Sequence, residues 1–227
     1  SENINASLNR LDIIGVIATR CSKHYSDRFR DTYDMLAHAY GIIKISNYDC
    51  PVKLNELIDH YQDLGWQIDT NYRMFYWHFD RLEKTVLFES LRERVENIYT
   101  NKYMAKLTVR FSDALAKEKT TDHIPSQRNF YRHFVSNSKE RVIVIISDAL
   151  RYEVAYNLWL KMEDDEKCLA QPYIMFGVLP SITKLGMASL LPHKKLEVTD
   201  DFKVLVDGMT CDTTPQREAI LQAENKE

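Results

Sequence analysis

Cysteine is scarce and scattered in this sequence. The chain has four cysteines, Cys21, Cys50, Cys168 and Cys211, and no two of them form a Cys-x-x-Cys pair. Structural zinc sites in zinc knuckles need such closely spaced pairs. The spacing therefore disfavours a zinc knuckle and indicates reduced thiols of the kind found in cytosolic proteins.

Long apolar runs and phosphate-binding glycine fingerprints are also absent from the sequence. No apolar run approaches the roughly 20 residues that span a bilayer, and no secretory leader is visible at the start, so we expect a cytoplasmic protein without membrane contact. The six glycines form neither a Gly-x-x-x-x-Gly-Lys-Ser/Thr loop nor a Gly-x-Gly-x-x-Gly fingerprint. Their absence disfavours nucleoside-triphosphate and dinucleotide sites of those two kinds.

An excess of positive charge is missing too. The whole chain carries 30 Lys and Arg against 33 Asp and Glu, a net charge of −3. Residues 1–140 are neutral with 20 basic against 19 acidic side chains, whereas residues 141–227 are acidic with 10 against 14. The charge gives no global argument for nucleic-acid binding, and it leaves room for a local basic patch.

The first part of the chain has the pattern of amphipathic helices. Apolar residues recur at three- and four-residue steps through residues 9–44, 54–64 and 72–115, as helices with one buried face require. Pro51 and Gly65 mark breaks between them. We therefore predict a helical scaffold domain over residues 1–138.

The second part alternates between strand and helix patterns. An apolar, β-branched run at 141–146 predicts a strand buried on both faces, and the later segments are predicted as a helix over 149–160, a strand over 173–179, a helix over 184–191 and a short strand over 203–206 with a turn at Asp207-Gly208. Such alternation favours a partly parallel α/β sheet. The fold class that we expect is α plus α/β, with further strands beyond Glu227.

Two polar residues stand where such sheets gather ligands. Asp148 follows the first predicted strand, and Thr183 stands at or near the start of a predicted helix. A carboxylate and a hydroxyl at such positions suit a metal and a phosphate. The alternative is that each only caps its helix, and Ser181 competes with Thr183 for either role. Lys184 is either a phosphate contact or an exposed first-turn lysine.

Four motifs carry a resemblance to a known family. They are Ile-Ser-Asp-Ala-Leu-Arg-Tyr-Glu at 146–153, the segment from Leu-Pro-Ser-Ile-Thr-Lys-Leu-Gly to His at 179–193, Val-Asp-Gly at 206–208 and Arg-Glu-Ala-Ile-Leu at 217–221. Together they resemble the PglZ family, the predicted phosphatase of BREX-type bacteriophage-resistance systems within the alkaline phosphatase superfamily. The resemblance covers the last 90 or so residues well. It implies that residues 139–227 are the N-terminal portion of an alkaline-phosphatase-like domain.

The resemblance also implies roles for the site residues. It makes Asp148 a metal ligand, Thr183 both the nucleophile and a metal ligand, and zinc or manganese the expected metal. A two-metal site of this kind needs further Asp and His ligands, yet His193 is the only histidine after Thr183. We therefore expect the chain to be a fragment of a longer protein and to be inactive by itself.

Two functions remain open at this point. The first is a metal-dependent phosphatase, phosphodiesterase or nuclease of a phage-defence system, acting on a phosphoester substrate. The second is an assembly module with a degenerate phosphatase domain, in which the helices bind other components of the defence complex or DNA.

Overall fold

The computed structural model describes residues 13–23, 26–45, 47–118, 124–167 and 169–224. The chain forms two compact units. We call residues 1–119 with 152–161 the helical unit, and residues 120–151 with 162–227 the mixed unit. The boundary at 138/139, drawn from composition and resemblance, stays a prediction.

Seven helices, each with one apolar face, build the described part of the helical unit. They are α1 (Ile13–Cys21), α2 (Ser26–Lys44), α3 (Leu54–His60), α4 (Trp66–Phe79), α5 (Glu89–Asn97), α6 (Ala105–Lys117) and α7 (Tyr152–Met162), whose last residue is assigned to the mixed unit. A π-helical turn at Tyr61–Gly65 joins α3 to α4, and another at Ile98–Met104 joins α5 to α6. A short 3₁₀ helix, Thr85–Phe88, precedes α5. The helical prediction is confirmed for these segments.

The core of the helical unit lies between α2, α4 and the α5–α6 segment. Met35, Phe75, Val95 and Tyr103 are fully buried there. Within α2, the buried residues Met35, Ala39 and Ile42 recur at steps of four and three residues, which bring side chains to one face of a helix. No helix among the described residues combines the length and the apolar character that crossing a bilayer requires.

The mixed unit contains a small antiparallel sheet. Strands β1 (Leu196–Val198), β2 (Val204–Val206) and β3 (Met209–Thr210) pair in that order, with Leu196 opposite Val206 and Val206 opposite Met209. Asp207 and Gly208 connect β2 to β3 with positive φ angles of 48° and 81°, as a two-residue hairpin turn requires. The predicted turn at these two residues is confirmed.

Helices on the sheet complete the core of the mixed unit. Helix α8 (Thr183–Ser189) contributes Leu185 and Ala188, helix α9 (Thr214–Glu224) contributes Ile220, and β2 contributes Val204 and Val206. All five side chains are at least 97% buried. The segment before α7 adds a 3₁₀ turn, Gln127–Asn129, and a π-helical turn, Tyr131–Val135.

The strand prediction is wrong for residues 141–146 as described by the structure. They pair with no strand, and Ile143 and Ile145 are 74% and 89% exposed. In residues 173–179 only Phe176 makes a bridge, a parallel one with Ser126. A β-branched run becomes a buried strand only where neighbours supply hydrogen bonds and cover both faces, and no other described residues do so. The sheet that does form is antiparallel instead of partly parallel.

Candidate functional site

Asp148 lies in an exposed turn that ends the extended segment 141–147. Ala149, the next residue, has a φ angle of 54°, which is uncommon for a residue with a Cβ atom. The Ala149 N–H donates to Asp148 Oδ1 over 3.0 Å. This contact holds the carboxylate against its own turn, and helix α7 begins only at Tyr152.

Thr183 is the first residue of α8. The residue before it, Ile182, has extended backbone angles of −103° and 142° and supplies no side-chain cap. The buried face of α8, through Leu185 and Ala188, fixes the helix on the core of the mixed unit. Thr183 itself is exposed at the start of this anchored helix.

The structure brings Asp148 and Thr183 together. Thr183 Oγ1 lies 3.2 Å from Asp148 Oδ2 and 3.4 Å from Oδ1, so the hydroxyl donates a hydrogen bond to the carboxylate. A single cation can therefore contact oxygen atoms of both residues. The expected shared sheet edge does not carry them, because Asp148 stands in a turn and Thr183 at a helix start.

This geometry bears on the capping alternatives. The Thr183 hydroxyl is directed to Asp148, and the described bonds of the Asp148 carboxylate come from Thr183 and from the adjacent Ala149. Ser181 is exposed and makes no hydrogen bond to Asp148 in the described part of the chain. Of the two hydroxyls in the loop, Thr183 is thus the one beside the carboxylate.

Lys184 is engaged on another side of α8. Its Nζ lies 2.8 Å from Asp212 Oδ1, with side chains 36% and 43% exposed. An ion pair this exposed is weak, so the lysine can exchange Asp212 for another anion. Its role as a phosphate contact stays a prediction.

Gln127 is a positioning residue that reasoning from the sequence missed. Its Nε2 donates to the Gly186 carbonyl over 3.1 Å, and its Oε1 accepts from the Val178 N–H over 3.2 Å. One amide thereby connects the 3₁₀ turn to α8 and to the segment before it. A lone glutamine has no periodic or motif signal, so only the fold reveals this bridge.

Cys211 can be set aside as a nucleophile. Cys211 is 3% exposed, and burial, followed by the charge of neighbouring Asp212, raises the pKa of its thiol. A buried, protonated thiol is a poor nucleophile. The hydroxyl of Thr183 remains the better candidate in this unit.

The metal donor set offered by the site is incomplete. Carboxylate and hydroxyl oxygens suit a hard divalent cation, and Asp148 and Thr183 supply such atoms. Across the described residues, however, no group of three or more His, Cys, Asp or Glu side chains could hold a metal ion. The pair fits one side of a metal site and falls short of the four or more ligands that zinc or manganese takes.

His193 does not join this pair. Its Nδ1 donates to the Leu191 carbonyl over 2.7 Å, and the residue lines a separate cavity of the mixed unit together with Arg128 and Arg132. His193 is therefore held by the backbone and lies outside the contact between Asp148 and Thr183.

Comparison with known proteins supports the resemblance seen in the sequence. The family described as the BREX system PglZ alkaline phosphatase-like domain matches residues 128–227. The chain is 38% identical over 99% of its length to the alkaline phosphatase-like protein PglZ of Bacillus cereus, and 30% identical over 96% to the alkaline phosphatase-like protein BrxZ of Escherichia coli. It spans 28% of the length of each of these relatives. No solved structure matches the chain.

Proposed function

Because residues 128–227 belong to the PglZ family of BREX alkaline phosphatase-like domains, we propose that the chain is part of a metal-dependent phosphoryl-transfer enzyme of a phage-defence system. The substrate class is a phosphate mono- or diester. The observation that carries the proposal is the 3.2 Å contact between Thr183 Oγ1 and Asp148 Oδ2, because it joins a nucleophile candidate to a ligand candidate.

Thr183 is the residue that forms the covalent bond in this proposal. Its Oγ1 attacks the phosphorus atom and its hydroxyl proton passes to water, while the bond from phosphorus to the leaving-group oxygen breaks and that oxygen departs with the bonding electron pair. The product is a phosphothreonine, which water hydrolyses in a second step. A threonine hydroxyl ionises poorly at neutral pH, and a bound divalent cation would supply the charge that stabilises its alkoxide.

Asp148 has two tasks beside Thr183. As a carboxylate it accepts the hydroxyl hydrogen bond and so orients Oγ1, and it provides oxygen for the cation. Its own position is set by the turn at Ala149. We propose that the remaining ligands lie in the parts of the longer relatives that this chain does not match. On that basis the 227 residues alone should not turn over a substrate.

The test is hydrolysis of an aryl phosphate mono- and diester by the full-length protein with zinc or manganese. We expect Thr183→Ala to lower the rate by about 10³-fold or more, as removal of a nucleophile does, and Asp148→Asn to lower it strongly. Ser181→Ala is the matched control, because it removes a hydroxyl from the same loop. A wild-type rate no higher than that of Thr183→Ala would refute the proposal.

A second candidate function is assembly with other BREX components through the helical unit. The observation that favours it is the exposure of large apolar side chains: Trp77 near the end of α4 is 57% exposed, and Val86 and Leu87 in the 3₁₀ helix before α5 are 82% and 58% exposed. Exposed apolar side chains that form a patch often mark protein contacts. Co-purification of the full-length protein with its system components should weaken in a Val86→Asp/Leu87→Asp variant. Unchanged recovery would contradict this role of the exposed side chains.

DNA binding by the helices has less support. Several helical arginines that could contact phosphates are already paired with carboxylates, namely Arg73 with Glu153, Arg81 with Asp31 and Arg92 with Glu89. Phosphate binding would have to compete with these pairs. DNA binding therefore stays a prediction of the sequence alone.

A further inference from the structure

The mixed unit contains a cavity that the phosphoryl-transfer proposal does not use. Its volume is about 800 Å³, and neither Asp148 nor Thr183 lines it. Ligand pockets for small molecules have volumes of about 300–1,000 Å³. The cavity is thus large enough for a ligand of mononucleotide size.

Two arginines are among the charged residues that line the cavity. Arg128 and Arg132 lie there together with Lys194, Asp207 and Glu224. Both oxygens of Asp207 accept the Lys194 N–H, over 3.1 and 3.0 Å, and Oδ1 also accepts the Lys195 N–H over 2.6 Å. Because backbone amides occupy this carboxylate, Asp207 holds the hairpin in place and offers little to the arginines.

The two arginines are placed to act together. Arg128 lies in the 3₁₀ turn and Arg132 in the π-helical turn that follows it, and both side chains line the same cavity. Arg132 Nη2 donates only to the neutral amide of Asn129, over 3.2 Å. Within the described residues, neither guanidinium forms an ion pair. Two guanidinium groups in one cavity favour a phosphate, which each can bind with two parallel hydrogen bonds.

Apolar side chains also line the cavity. Leu191 and Ile220, which are 8% and 3% exposed, line it together with Pro192 and Met209. Tyr131 adds an aromatic side chain beside the arginines. His193 Nδ1 donates to the Leu191 carbonyl, so Nε2 is the ring nitrogen that can contact a ligand.

From this combination we infer that the cavity binds a phosphorylated small molecule with an aromatic body, of the nucleoside monophosphate class. The phosphate lies on Arg128 and Arg132, and the apolar body packs against Leu191 and Ile220. The inference goes beyond the phosphoryl-transfer proposal and does not depend on it, because the lining contains no residue of that site.

The experiment is calorimetric titration of AMP into the 227-residue chain without divalent metal, with inorganic phosphate and adenosine as separate arms. We expect saturable binding of AMP, and weaker binding of phosphate or adenosine alone. Loss of a charge-assisted contact weakens binding by about tenfold, so Arg128→Gln/Arg132→Gln should weaken AMP binding by about 100-fold if both guanidinium groups hold the phosphate.

Three further variants make the test specific. Arg20→Gln/Arg141→Gln removes two exposed positive charges outside the cavity and should leave AMP binding unchanged. Ala223→Trp, at an exposed lining position of α9, should block the cavity without disturbing the core. Thr183→Ala should bind AMP like the unsubstituted chain.

Several outcomes would overturn the inference. They are no AMP binding, an equal loss in the two double-arginine variants, undiminished binding in Ala223→Trp, and loss of binding in Thr183→Ala, which would place AMP at the phosphoryl-transfer site. Equal affinity for phosphate and AMP would also overturn the inference, because the apolar side chains Leu191 and Ile220 would then contribute nothing to binding.

Discussion

Arg73→Met should destabilise the helical unit more than Glu153→Gln, although the two residues form one ion pair. The Glu153 side chain is completely buried, whereas that of Arg73 is 36% exposed. Arg73 Nε and Nη2 each donate to the Glu153 carboxylate over 3.0 Å, and Thr70 Oγ1 adds a bond of 3.3 Å. The free energy lost on removing one partner therefore depends on which of the two side chains remains.

The magnitudes follow from this difference in exposure. Removing Arg73 leaves a carboxylate without its counter-charge in a fully buried position, which costs about 3–5 kcal/mol. Removing the charge of Glu153 leaves a guanidinium that water still reaches, and the loss is that of charge-assisted hydrogen bonds, about 1–3 kcal/mol. The double variant Arg73→Met/Glu153→Gln should lose less than the sum of the two single variants, because it leaves no buried charge.

Urea denaturation followed by tryptophan fluorescence measures the effect. All three tryptophans, Trp66, Trp77 and Trp159, belong to the helical unit, so the signal reports the unfolding of that unit. Arg30→Met is the matched control, since Arg30 and Asp27 form a pair with side chains 68% and 91% exposed, worth about 0–1 kcal/mol. The reasoning fails if Arg73→Met costs no more than Glu153→Gln, or if the two losses add.

Three further predictions concern the packing and titration of other residues. Burial is the main cause that lowers the pKa of His38 from its usual 6.5, so the unfolded chain binds this proton more readily. Stability should fall as the pH drops below 6.5, and His38→Gln should flatten the dependence of the urea midpoint on pH. Leu185→Ala, at a position 1% exposed, should cost about 2–5 kcal/mol by hydrogen exchange, whereas Leu221→Ala, 37% exposed, should cost about 0.5 kcal/mol or less. Gln127→Ala should cost about 1–3 kcal/mol by leaving the buried Val178 N–H without an acceptor, and it should lower hydrolysis by the full-length protein. An unchanged exchange pattern in the Gln127 variant would contradict the bridge.

The helical part was largely predictable from sequence because its signal is periodic. Leu54 and Leu57, taken from the apolar pattern, are each 1% exposed in α3. The interruption at residues 80–84 was missed, since it contains no proline or glycine. Helix boundaries without such residues depend on tertiary packing, which a single sequence does not display.

The candidate site was predictable only where a motif carried it. The sequence singled out Asp148 and Thr183, and the structure places their side chains 3.2 Å apart, while their chemical roles stay predictions. Glu153 lies in the same motif and was read as part of a helix pattern, yet it is fully buried on Arg73. Its burial comes from residues about 80 positions earlier in the chain, so no local pattern could have revealed it.

The strand over 141–146 failed for a physical reason. β-branched residues pack well in a sheet, but only where neighbouring strands and side chains are present to pack against. The described residues supply no partner strand there, so the run forms no strand and stays exposed. Sequence preference and local environment disagree at this segment.

That disagreement has a practical consequence for the isolated chain. Ile143 and Ile145 are 74% and 89% exposed. They lie in the uncharged, β-branched segment 142–146, whose backbone amide and carbonyl groups can pair with those of another molecule. In concentrated solution, this 227-residue chain should therefore self-associate through segment 142–146. A lysine in place of Ile145 would act as a gatekeeper and keep the preparation monodisperse.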